Sequence, residues 1–361
     1  MKTQALSKND TAILKGIGIL LIVLHNFLHW TEPFNSRENE FYFKDSNVSD
    51  FFSSIAGNPF EFVNIFLSYF GSYGVQIFIF LSGYGLYLSF KNRPAPWFRF
   101  VVGRTAKLWC LLVVALIIQL VTNVLTYQTI DAKLMLSFLY KFLFVHILIP
   151  GEGMSYNGPL WFVGCIMQLY ILFPFIYRMM EKYGLKAFLI ICAFSYSIIY
   201  LSVYGIFSPN NVFILQNFPG HLPEFCLGVL LAQKSGMEIK RIYLFTSIIV
   251  FFAGAFLKPL FPFAFIAFSF MVFCLYQMSV QRSDNDGFFG RMFAYFGGIS
   301  MLLFATHGNI RWTFVVLTQK HDNAAMTLLI AVAFVASAVL VAKSVSGIYD
   351  KLNGFVKDKT K

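Results

Sequence analysis

Ten apolar runs, nearly free of charge, follow one another along this chain: 12–30, 71–90, 106–126, 159–177, 187–204, 219–233, 242–257, 260–279, 292–317 and 325–346. In hydrocarbon every backbone N–H and C=O must be satisfied within the protein, so long apolar runs become helices. About 20 such residues cross a bilayer. A membrane β-barrel would show segments of about 10 residues with alternating polarity, and these runs do not alternate. A soluble fold is excluded by quantity. Of 361 residues 58% are hydrophobic, 45 are phenylalanine, only 12% are charged, and the mean hydropathy is +0.67. A soluble domain has too little interior to hide that much apolar surface. A disordered chain and a disulfide scaffold fail on the same composition. The expected fold is all-α, a polytopic membrane helix bundle of about ten transmembrane helices. A further run, 134–149, is short and carries Lys141 and His146, so it is expected to be re-entrant or interfacial.

Charge placement gives the topology. With the N-terminus in the cytoplasm, the segments 1–15, 91–107, 178–186, 234–241, 280–291 and 343–361 share one side and hold 21 of the 28 lysines and arginines. Six lie on the other side, and Arg311 lies within a run. This is the positive-inside pattern, with both termini cytoplasmic. Counting 134–149 as an eleventh span would invert half the chain and export Arg178, Lys182 and Lys186. The net charge of +11 is therefore read as topology, not nucleic-acid binding. Membrane lipids are the expected surroundings. Cys110, Cys165, Cys192, Cys226 and Cys274 all lie in apolar runs without a CxxC pair, so neither a redox nor a metal site is expected from them. No small-residue cleavage site follows the first run, so it is expected to remain as a span. No repeat or linker divides the chain. It is expected to form one transmembrane domain, 1–346, followed by a loose polar cytoplasmic tail, 347–361.

Ionisable groups inside spans are costly and mark function by default. Here they fall into two layers. The outer one has His25, Asn26 and His29 in the first run, Trp161 and Gln168 in the fourth, His221 and Glu224 in the sixth, and His307 with Arg311 in the ninth. The inner one has Lys15, Arg104 and Lys107. The bland alternatives are an aromatic belt for Trp161, interfacial placement for His29, snorkelling anchors for the lysines and Arg104, and satisfied core histidines elsewhere. His307 and Arg311 share a helix face at i, i+4. In a helix, Lys15 and His25 stand about 15 Å apart along the axis and roughly 80° apart around it; Asn26 is only about 20° from Lys15 and His29 about 40°. One helix thus offers a cation at one surface and an imidazole near the other. A neutral imidazole can take a proton from a hydroxyl, and a basic cluster can hold the phosphates of a cytosolic donor. Group transfer across the membrane and transport of an anion or sugar both fit this pattern.

Six phrases, in order, resemble the acyltransferase 3 family, ten-span membrane acyltransferases of bacterial envelope polysaccharides. They are LKGIGILLIVLHN (14–26), GVQIFIFLSGYGLYL (74–88), RTAKLWC (104–110), GPLWFVGCIMQLYILFP (158–174), HLPEFCLGVLLA (221–232) and GGISMLLFATHG (297–308). The family spaces a basic residue and a histidine by ten intervening residues. From Lys15 that spacing falls on Asn26, with His25 one position early, and the acidic residue common in the family's fourth span is replaced by Cys165, Ile166 and Met167. The resemblance implies an O-acyltransferase, foremost an O-acetyltransferase, of a bacterial inner membrane. It would move an acyl group from cytosolic acetyl-CoA to a hydroxyl of an envelope glycan or lipid-linked saccharide, without a metal. His25, with Asn26 beside it, would be the base; Glu224 and His307 would support the catalytic pocket. Lys15, Arg104 and Lys107 would bind the donor, and His29, Trp161, Gln168, His221 and Arg311 would line the acceptor pocket. Ser82 and Gly83 would let helices pack closely. A transporter and a catalytically silent family member are the competing readings.

Overall fold

The computed structural model describes residues 3–127, 130–203, 212–234, 236–280, 287–320 and 323–359. Among these residues the protein is helical and contains no β-strand. In chain order the helices are α1 (Lys8–Leu28), α2 (Asp45–Gly57), α3 (Phe62–Phe70), α4 (Gly74–Asn92), α5 (Trp97–Tyr127), α6 (Ala132–Phe142) and α7 (Trp161–Tyr183). There follow α8 (Leu185–Val203), α9 (Phe218–Gln233), α10 (Arg241–Phe256), α11 (Phe261–Val280), α12 (Phe288–Gly298), α13 (Ser300–Thr318) and α14 (Ala324–Lys359). Seven helical stretches are long and apolar enough to cross a membrane, and α12 with α13 makes an eighth if the bent pair counts as one. The chain is an integral membrane helix bundle.

α1 starts where the sequence provides a reciprocal cap. The Ser7 hydroxyl accepts from the Asp10 amide, and the Asp10 carboxylate accepts from the Ser7 amide. The helix then runs through the middle of the bundle against α4, α12 and α13. α4 packs on α9 at very short range because Gly83 and Gly228 face the partner backbone. A methyl at either position would overlap the Phe225 or Phe80 carbonyl oxygen. Small residues are what permit such crossings where lipid gives helices no hydrophobic reason to associate. Gly83 thus has the packing role expected of it, whereas Ser82 borders a cavity.

Four differences from the sequence reading have physical causes. All ten runs carry helix, but α9 and α10 are only 16 residues long. α9 is buried along nearly its whole length, so protein rather than lipid surrounds it and bilayer thickness does not set its length. The ninth run is two helices meeting at 73°, broken at Ile299 just after the Gly297–Gly298 end of α12, with the Ser300 hydroxyl donating to the Gly297 carbonyl. The acidic loop 31–70 is itself partly helical, and its α3 continues through a 3-10 turn at Gly71–Tyr73 into α4. The expected loose tail instead continues α14 as helix to Lys359. The run 134–149 gives α6, 11 residues long and too short to span, then a 3-10 turn at His146–Leu148.

Candidate active site

Two cavities lie toward opposite ends of α1. One, of about 220 Å³, is lined by His25, Asn26, His29 and Trp30 from α1 and its C-terminal turn, with Glu40, Ser72, Tyr156, Trp161, Phe304 and Arg311 around them. The other, of about 370 Å³, is lined by Lys15, Ser82, Arg104, Lys107 and Tyr170 among apolar neighbours, and no carboxylate borders it. The Arg104 guanidinium lies over the rings of Phe100 and Tyr170, 5.4 and 5.7 Å from their centres. The walls of the two cavities meet at aromatic rings. Phe162 borders the Lys15 cavity and Phe304 the His25 cavity, 5.2 Å apart centre to centre, and Phe78 lies 6.4 Å from Phe162.

His25 is fixed by what surrounds it. Its Nδ1 donates to the Ser68 carbonyl of α3 at 2.8 Å, since a carbonyl oxygen can only accept. That bond puts the free lone pair of the neutral imidazole on Nε2, which lies 3.9 Å from Glu40 Oε2. A side chain at Gly71 would collide with the His25 Cβ, so this glycine allows α1 and the α3–α4 corner to approach. α1 is unbroken here, and both His25 and Asn26 reach the cavity. The Asn26 amide, however, is turned back onto the Ile22 carbonyl at 2.9 Å. The one-residue shift in spacing therefore needs no helix irregularity to bring an imidazole to the site.

His29 lies one turn on, its ring 5.3 Å from that of His25, and its Nδ1 binds Glu38 Oε1 at 2.8 Å. Burial alone would raise the Glu38 carboxyl. The His29 hydrogen bond and the two nearby imidazoles outweigh burial and hold it below the usual carboxylate value. Sequence reading missed Glu38 and Glu40. They counted only as loop acids, and nothing in local spacing reveals that the loop folds back over α1. One ligand atom from each of His25, His29 and Glu38 falls within 4.8 Å of the others, the sole such grouping found among the described residues. Metal-ligand chemistry is open to these side chains, although Glu38 Oε1 is already bound by His29; its buried Oε2 has no partner.

The remaining expected site residues divide. His29, Trp161 and Arg311 line the His25 cavity; Lys15, Arg104 and Lys107 line the other. Glu224 and His221 form a closed pair outside the main cavity: His221 Nδ1 meets Glu224 Oε1 at 2.7 Å and its Nε2 donates to the Leu215 carbonyl at 2.8 Å. With both ring nitrogens engaged, His221 has no free nitrogen for a substrate, and its ring stacks 5.5 Å from Trp161 as a support. Gln168 ties α7 to the start of α9, donating to Asn217 and accepting from the Phe218 amide, each at 2.8 Å. His307 donates to the Leu303 carbonyl at 2.9 Å, and its buried Nε2 has no partner. It packs behind Phe304, which borders the cavity in its place. Glu224, His221, Gln168 and His307 are thus positioned to shape the site and not to line it.

The family model described as "Acyltransferase domain" matches residues 12–343. No curated protein and no solved structure matches the chain.

Proposed function

From the chain's membership of this acyltransferase family, whose model matches it from residue 12 to 343, we propose that it is a membrane O-acyltransferase with acetyl-CoA as donor and an envelope glycan or lipid-linked saccharide as acceptor. The observation that carries the reading is the pair of cavities on one helix, a cationic one at Lys15 and an imidazole-bearing one at His25, whose walls meet at the Phe162–Phe304 ring contact. Lys15, Arg104 and Lys107 suit the phosphates of coenzyme A, because several cations in a pocket without carboxylates favour a polyanion. His25 Nε2 suits the acceptor hydroxyl. It takes the hydroxyl proton as the oxygen attacks the thioester carbonyl. The tetrahedral adduct then collapses with cleavage of the C–S bond, and the imidazolium returns its proton to the departing thiolate. The Nδ1–Ser68 bond holds the ring in the required tautomer throughout, and Glu40 stabilises the imidazolium. Both termini and the Lys15 cavity then face the cytoplasm of a bacterial inner membrane, as the 21 of 28 basic residues on that side favour.

The test is deletion of the gene and measurement of ester-linked acetate on envelope glycans. Loss of acetate, restored by the wild-type chain and not by His25→Ala present at equal level in the membrane, is the expected result. Unchanged acetate at unchanged glycan abundance would sink the reading. The two opposed cavities also suit a transporter, and sugar counterflow in vesicles without any acyl donor would favour that instead.

A further inference from the structure

Arg311 is a buried cation without a counter-ion. It is 8% exposed, and no carboxylate pairs with it among the described residues. Its hydrogen bond is a long one, from Nη1 to the Asn26 carbonyl at 3.4 Å, and its Nε has no partner. The guanidinium packs against a pair of indoles, 5.1 Å from the centre of Trp30 and 5.5 Å from that of Trp312, which themselves lie 4.9 Å apart. Cation–π contact offsets part of the lost hydration but satisfies no N–H. Trp30 repeats the situation, since its indole Nε1 is buried and also lacks an acceptor. Both side chains line the His25 cavity. Its acidic wall does not answer them, because Glu40 faces His25 and Glu38 is bound to His29. A buried charge left unpaired is a standing cost to the fold. Two side chains that line one cavity, each with a buried donor left unsatisfied, fit a ligand that supplies negatively charged acceptor oxygens.

We infer that the His25 cavity recognises an acceptor bearing an oxyanion, a phosphate or carboxylate close to the reactive hydroxyl, through Arg311 with Trp30 beside it. The inference rests on the proposed function for the hydroxyl; the anion site itself rests on the side chains alone. The guanidinium fork suits either anion, offering parallel N–H donors to two oxygens. Trp30 and Trp161 give the sugar ring flat apolar faces in the same cavity.

The experiment titrates the purified full-length protein in detergent with glucose 1-phosphate, glucuronate and methyl glucoside, following tryptophan emission. At least one charged sugar is expected to bind tenfold or more tightly than the neutral one, and the stronger of the two names the anion. Arg311→Met is expected to abolish that preference, and Arg311→Lys to retain part of it. A second reading uses thermal stability without ligand. Removing an uncompensated buried cation is expected to leave the midpoint unchanged or raise it, whereas removing a structural arginine would lower it. Equal binding of charged and neutral sugars, or a preference that survives Arg311→Met, would overturn the inference. If Arg311→Met does not fold, a wild-type preference of tenfold or more that Arg311→Lys reduces supports it, and a preference that Arg311→Lys leaves wholly intact, or the absence of any wild-type preference, sinks it. The two proposals fail separately. Anion preference without acyl transfer removes the enzyme and leaves the site, and transfer to neutral sugars unaffected by Arg311→Met removes the site and leaves the enzyme.

Discussion

His25 and His29 stand one turn apart on α1, and their hydrogen bonds divide their chemistry. His25 spends Nδ1 on a backbone carbonyl and keeps Nε2 toward the cavity, whereas His29 is committed to Glu38. His25→Ala should therefore lower kcat by about 10²–10⁴, the usual worth of a positioned general base, with little change in donor KM. His29→Ala should leave most of the activity but leave the Glu38 carboxylate buried without its partner, costing about 1–3 kcal/mol of stability. Single-turnover acyl transfer and thermal melts on both variants check this, and a larger loss of rate from His29→Ala than from His25→Ala would reverse the assignment. Lys141 offers a pH test. It is buried, its Nζ donates to Ser137 and Ser155 at 2.7 Å each, and burial lowers its pKa from 10.5 to about 8 despite the opposing pull of Glu152. The folded chain thus releases this proton earlier than the unfolded chain. Between about pH 8 and 10.5 the unfolded state holds more protons, and stability should rise with pH by an amount on the order of 2–3 kcal/mol. Melting midpoints across that window should show a rise in the wild type that Lys141→Met lacks.

At the scale of helices, periodicity and charge revealed the elements but not their breaks. The apolar runs located every long helix because hydrocarbon leaves the backbone no alternative. The 73° bend between α12 and α13 was not read from Gly297 and Gly298, since glycine is frequent in membrane helices whether or not they bend. The site was legible in the same measure. Lys15, His25, Arg104 and Arg311 stood out because a charge or imidazole in an apolar run is conspicuous, while Glu38 and Glu40 stood in a polar loop where acids are ordinary. His221 and Glu224 were conspicuous for the same reason as His25, yet they bind each other through Glu224 Oε1, a pairing three residues apart that only coordinates distinguish from a catalytic one. The partition built from α4, α7 and α13 was equally hidden, because three phenylalanines among 45 carry no mark. Under the proposed function, its position between the Lys15 and His25 cavities would make it the place where acyl length is set. Phe162→Leu should improve turnover of longer acyl donors relative to acetyl by several-fold, at a cost of about 1–2 kcal/mol for the imperfect repacking. Competition between acetyl- and octanoyl-CoA measures the ratio, and an unchanged ratio would locate chain-length control elsewhere.

For the whole molecule, the division of charge and the division of cavities should agree on one orientation. The Lys15 cavity lies at the end of α1 near the basic N-terminal segment, and the His25 cavity lies at the end that leads into the acidic loop 31–70. Basic residues resist transfer across the inner membrane, so the first end should be cytoplasmic and the second external. Under the proposed function, this orientation would give donor and acceptor separate openings. The five native cysteines are all buried, which makes the chain a quiet background for thiol labelling. Ser53→Cys, exposed in the loop after α1, should react in intact cells with a membrane-impermeant maleimide. Asn92→Cys, exposed where α4 ends, should react only after the membrane is opened. The opposite pattern would place the cationic cavity outside, where no coenzyme A is supplied. The cavities would then be unable to receive donor and acceptor as their chemistry requires, whatever the mutations at His25 had shown.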